Sequence, residues 1–170
     1  MAEQLHKDYY RKFDSRCEVL AKRIEGYPIK DKGFFQKVQQ LRNKRIEQGF
    51  DEHGSMHQYA KPYMLGVVLK RCRICLRKYQ ETGNYINLLD ALNYLMFEFY
   101  NECDKVEPLD EYDVLSVFYN ITWNECEQDV YEFALTAFHI YNNFHEIEYL
   151  QVIALAILVE LSKFDLIMEV

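Results

Sequence analysis

Apolar residues recur along the chain with a helical period. From Gln4 to Ile24 the residues Leu5, Tyr9, Phe13, Leu20 and Ile24 share one stripe, with lysines and arginines elsewhere, and Gly26-Tyr27-Pro28 ends the pattern. A second amphipathic stretch, Lys32 to Gln48, repeats it with Phe34, Val38, Leu41 and the aliphatic stem of Arg45, leaves a basic outer face, and is expected to stop at Gly49. Between Gly49 and Lys61 the run GFDEHGSMHQYAK has no clean period and reads as a loop.

Pro62 suits the first turn of a third helix, because a residue there needs no N–H partner. In that helix Leu65, Val68, Cys72, Cys75, Leu76 and Tyr79 share a face, while Lys70, Arg73 and Arg77 form a basic stripe. Glu81-Thr82-Gly83 ends it, and Asn84 is placed to cap the next helix, Tyr85 to about Asp104. Leu88, Leu89, Leu92, Leu95, Met96 and Phe99 make that helix apolar nearly all round. Asn87, Asp90 and Asn93 interrupt it on a narrow face, where a carboxylate is costly unless paired or solvated.

After Pro108, Asp110 is expected to cap a short helix through Tyr119. Thr122-Trp123-Asn124-Glu125 has the S/T-x-x-E form of a capping box, ahead of Val130, Phe133, Ala134, Ala137, Phe138 and Tyr141. The last helix, Glu146 to Phe164, carries Ile147, Leu150, Ile153, Ala154, Ile157, Leu158 and Leu161 and is apolar enough to be central. No strict alternation, hairpin turn or fixed-period repeat occurs. The pattern predicts an all-α fold: a single-domain antiparallel bundle of about six or seven helices over residues 1–170.

Charge divides this domain. Residues 1–83 carry 18 Lys/Arg against 10 Asp/Glu, a basic half of +8, whereas residues 84–170 carry 2 against 17, an acidic half of −15. The charged start MAEQLHKDYYRKF lacks the apolar core of a secretory signal, and the run Val152–Val159 is far shorter than the roughly 20 residues that span a bilayer. An intracellular, cytoplasmic protein away from the membrane is expected. The five cysteines then read as reduced thiols, with Cys72 and Cys75 on a helix face as buried hydrophobes rather than a metal or redox pair.

The short catalytic signatures, P-loop, G-x-G-x-x-G, H-E-x-x-H and Gly-x-Ser-x-Gly, are absent, which lowers the expectation of the commonest enzyme classes. His53 and His57 beside Asp51 and Glu52 would approach a metal site only if helical, and Gly54 argues for a solvated loop. More suggestive is the stripe Lys70, Arg73, Arg77 next to Asn87, Asp90 and Asn93. In an antiparallel hairpin Arg73 or Arg77 would neutralise Asp90 as a structural ion pair, or cation and carboxylate together would line a phosphate or metal–phosphate pocket.

The run LKRCRICLRKYQETGNYINLLDALNYLMF, Leu69 to Phe97, resembles the K-x-x-R … D-x-x-N-Y segment of MazG-like all-α nucleotide pyrophosphohydrolases, and Arg42 to Gly54 is similar to the loop preceding it. The resemblance implies a nucleotide ligand and Mg²⁺ held by paired E-x-x-E and E-x-x-D motifs on antiparallel helices. Asp90 matches the last acid and would be the metal ligand; Asn87 stands where a glutamate is expected, and no upstream E-x-x-E is found. An amide brings no charge to Mg²⁺, so the expectation is nucleotide binding at Lys70, Arg73, Arg77, Asn87, Asp90 and Asn93 with hydrolysis impaired.

The alternative is an acidic helical protein-interaction module, a regulator or inhibitor of the phage or mobile-element kind, steered to a basic protein partner by its −15 half. Nucleic acid is disfavoured as a partner: the cations are spread over three helices and the acidic half repels phosphate. The polarity also suits self-association into a homo-oligomer.

Overall fold

The computed structural model describes residues 13–24, 29, 32–53, 65–103, 118, 129–144 and 148–166, and among these it is all-helical, with no strand. Six helices are described: α1, residues 13–22; α2, Phe34–His53; α3, Leu65–Thr82; α4, Ile86–Cys103; α5, Val130–Phe144; and α6, Glu148–Leu161. None is long and apolar enough to cross a membrane.

The α3–α4 hairpin follows from local chemistry. Gly83 takes a positive φ of 72°, open to glycine without a Cβ penalty, and its N–H donates to the Tyr79 carbonyl at 2.7 Å, closing the end of α3. Asn84 then caps α4, its Oδ1 accepting from the Ile86 N–H at 3.0 Å, as expected from the sequence. The turn sets Val68, Cys72 and Leu76 against the Leu88, Ala91, Leu92 and Leu95 side of α4, and all are buried.

At the other cap the sequence reading needs adjusting. Asp129 serves α5, its Oδ1 accepting from the Glu132 N–H at 2.8 Å; Thr122–Glu125 lies outside the described residues. Also outside them fall 4–12 of the first predicted segment, the Gly54–Lys61 part of the predicted loop with His57, and all but Phe118 of the short helix after Asp110. Phe118 is buried, with its ring 5.7 Å from that of Phe133. Helix α2 does not stop at Gly49 but runs to His53. A glycine inside a helix costs only about 1 kcal/mol, little against the burial of Phe34, Val38 and Ile46 on the same helix.

Helices α5 and α6 pack together as a second pair, α6 and α2 lie against α4, and α5 meets α3. Around α6 the side chains of Leu150 to Leu155, Ile157, Leu158 and Leu161 are buried on every side, so this helix is central, as its composition predicts. Phe13 of α1 reaches α4, its ring 5.6 Å edge-to-face from Phe99.

Candidate ligand pocket between the first two helices

Phe34, Val38, Arg42 and Ile46 stand four residues apart on α2, so one line of the helix faces the core, and all four are buried. A guanidinium on that line is tolerable only when its charge and N–H groups are engaged. Arg42 Nε donates to Asn93 Oδ1 at 2.9 Å, Nη1 donates to Asp14 Oδ1, Nη2 meets Met96 Sδ at 3.2 Å, and the guanidinium carbon lies 5.4 Å from the centre of the Phe13 ring. Asn93 Nδ2 donates back to the Arg42 carbonyl at 3.3 Å. Three helices, α1, α2 and α4, are thereby tied through one cation.

Beside this cation α1 and α2 leave a partly open cavity of about 370 Å³, within the ~300–1,000 Å³ usual for small-molecule sites. Phe13 and Phe35 line it with aromatic surface; Asp14, Glu18, Gln36, Gln39 and Arg42 line it with donors and acceptors. Asp14 has one oxygen committed to Arg42, while its Oδ2 is shut away from solvent with no hydrogen-bond partner among the described residues. Glu18, four residues on and so on the same face of α1, is 3.3 Å from Lys22.

Cys17 also lines the cavity. Burial, reinforced by the Asp14 carboxylate and opposed by Arg42 and Arg16, pushes its thiol up to about 12, so it is a neutral thiol near pH 7 and no nucleophile. The pocket thus combines aromatic contact with hydrogen-bonding groups of both kinds and lacks an activated nucleophile: it can hold a planar ligand with N–H and carbonyl edges.

A second ion pair stands on the same two helices. Arg45 Nε donates to Asp90 Oδ1 and Nη2 to Asp90 Oδ2, both at 2.9 Å, a two-pronged pair between α2 and α4. The partner of Asp90 is therefore Arg45, not Arg73 or Arg77. The reason is rotational: α3 turns Val68, Cys72 and Leu76 toward α4, which leaves Lys70, Arg73 and Arg77 exposed on its far side. Asn87 is half-buried at the start of α4, its Nδ2 donating to the Asn84 carbonyl at 3.2 Å. Of the six predicted site residues, Asn93 alone joins the pocket, through Arg42.

For Mg²⁺ this donor set is a poor fit. Both oxygens of Asp90 accept from Arg45, the flanking polar residues are the amides of Asn87 and Asn93, and no group of three or more His, Cys, Asp or Glu side chains able to hold a metal ion occurs among the described residues. Cys72 and Cys75 are free thiols raised above their ordinary value chiefly by burial, the second to about 11, and Cys72 Sγ donates to the Ala91 carbonyl at 3.5 Å.

Arg42, Asp14, Gln36 and Gln39 are the residues that sequence reading passed over. Arg42 had a signal, since it continues the line Phe34, Val38, Ile46 at four-residue spacing, and a charge at an apolar position announces a buried partner. No protein-family model, curated protein or solved structure matches the chain.

Proposed function

We propose that the chain is a MazG-like nucleotide-binding protein that holds its ligand without hydrolysing it. The observation that carries this reading is the pocket of about 370 Å³ between α1 and α2, where two phenyl rings adjoin Asp14, Glu18, Gln36, Gln39 and Arg42. A nucleobase matches such a lining: its face suits the rings, its N–H groups suit the Glu18 carboxylate and the glutamine oxygens, and its carbonyls suit the glutamine amides.

The absence of hydrolysis rests on charge. Metal-assisted attack on a triphosphate needs several carboxylates free to bind cations. Here Asp90 is held by Arg45 and Asp14 by Arg42. Both carboxylates are thus neutralised by guanidinium groups rather than left open to a cation.

Isothermal titration with a panel of nucleosides and nucleotides, run beside a pyrophosphate-release assay, tests this. The expected result is saturable binding of one base class, abolished by Gln36→Ala/Gln39→Ala, with no pyrophosphate released. Turnover above background would refute the non-hydrolytic part. Absence of binding across the panel would refute the nucleotide reading itself.

A further inference from the structure

We propose that the outward face of α3 is a docking surface for an acidic, partly apolar protein segment. Helix α3 buries Val68, Leu69, Cys72 and Leu76. The arc opposite carries Lys70, Arg71, Arg73, Arg77 and Lys78, all exposed, with Ile74 among them 44% exposed.

Two features separate this arc from an ordinary solvated helix face. The first is charge balance. Among the described residues only Arg77 of this arc is ion-paired, to Glu81 at 3.4 Å, and Lys70, Arg71, Arg73 and Lys78 have no ion-pair partner there. Like charges one turn apart weaken a helix, so the sequence tolerates a cost there that the fold itself does not require. The second is arrangement. Ile74 has Lys70 and Arg71 one turn before it and Arg77 and Lys78 one turn after it, so the exposed apolar side chain is ringed by cations. An apolar centre inside a charged rim is the anatomy of a protein interface.

The chemistry of the ring selects the partner. A nucleic-acid backbone would neutralise the cations but gives Ile74 nothing to bury against. The arc exposes no aromatic ring for base stacking among the described residues. An amphipathic acidic helix supplies both halves of the match, carboxylates for the rim and an aliphatic side chain for the centre.

The test is fluorescence anisotropy of the full chain with a labelled amphipathic Glu/Leu helix as probe, beside the same peptide with leucines replaced by serines, a short DNA duplex and phosphatidylserine vesicles. Lys70→Glu/Arg73→Glu/Arg77→Glu should weaken the Glu/Leu peptide about tenfold or more at low salt. Ile74→Ser should weaken it several-fold with no change of charge, and Lys32→Glu/Lys44→Glu, reversals elsewhere on the surface, should leave it unchanged. Circular dichroism of each variant shows that the exposed substitutions keep the fold. The proposal is overturned if the peptide does not bind, if the control reversals weaken it as much as those on α3, if Ile74→Ser has no effect, or if the duplex or the vesicles bind more tightly than the peptide.

Discussion

Replacing Arg42 with methionine should cost the protein about 3 kcal/mol. The side chain is 2% exposed, and the substitution removes its contacts to Asn93 Oδ1, Asp14 Oδ1 and Met96 Sδ and its charge over the Phe13 ring. Methionine keeps most of the volume, so little of the loss is cavity. What dominates is the Asp14 carboxylate left without its cation in a site where that side chain is only 19% exposed, together with an unpaired Asn93 oxygen. Removing one partner of a buried ion pair costs about 3–5 kcal/mol, and the partial exposure of Asp14 places the expectation at the low end. Urea unfolding followed by circular dichroism reads the change as a lower midpoint at unchanged slope, and in a domain of this size it lowers Tm by roughly 6–12 °C. Asp14→Asn in the same background should restore about 1–2 kcal/mol, because the stranded charge is gone. A loss under about 1 kcal/mol for Arg42→Met, or a double variant no more stable than the single one, would refute the view that Arg42 ties the three helices through charge.

Three further outcomes follow from the same structure. A double-mutant cycle on Arg45→Gln and Asp90→Asn should give a coupling of only about 1 kcal/mol, since the side chains are 39% and 23% exposed, and it should shrink as salt is added; zero coupling would mean that the two-pronged geometry is not kept in solution. Stability should fall as pH rises from about 9 toward 11–12: the thiols of Cys17 and Cys75 keep their protons in the fold to about 12 and about 11, whereas the unfolded chain releases them near 9.0, and Tyr79, raised by burial and by its hydrogen bond to Glu160, acts in the same direction. Urea midpoints across that range should drop, and drop less in Cys17→Ala/Cys75→Ala; equal slopes would contradict the assignment. Gln151 of α6 is fully buried with neither side-chain polar atom hydrogen-bonded among the described residues, so Gln151→Leu should raise stability by about 1–2 kcal/mol in thermal unfolding, and a loss would show that a polar partner holds it.

Much of the architecture can be read from the chain because it is set by local chemistry. Gly83 and Asn84 specify the α3–α4 turn with a positive φ and a cap, and the nearly unbroken apolar run from Leu150 to Leu161 forces α6 into the centre. Periodicity also separates the two faces of α3. What it cannot supply is which helix stands opposite a given polar residue. Asp90 is visibly in need of a cation, and α3 offers five nearby in sequence, yet Arg45, 45 residues away, is the one that packing brings within reach. The pocket is hidden for the same reason: Asp14 and Arg42 are 28 residues apart and meet only when α1 and α2 pack. Gly49 misled in a different way, because its intrinsic preference is weak beside the burial of the helix that runs through it.

Thermal unfolding of the purified chain with each nucleoside and nucleotide in excess tests the central claim most directly. A ligand present at about 100 times its Kd adds about 2.7 kcal/mol to the folded state, which for a chain of this length raises Tm by roughly 5–11 °C. The account predicts such a shift for one base class, present without Mg²⁺ and lost in Gln36→Ala/Gln39→Ala. No shift with any nucleotide, or a shift that the glutamine variant retains in full, would contradict it.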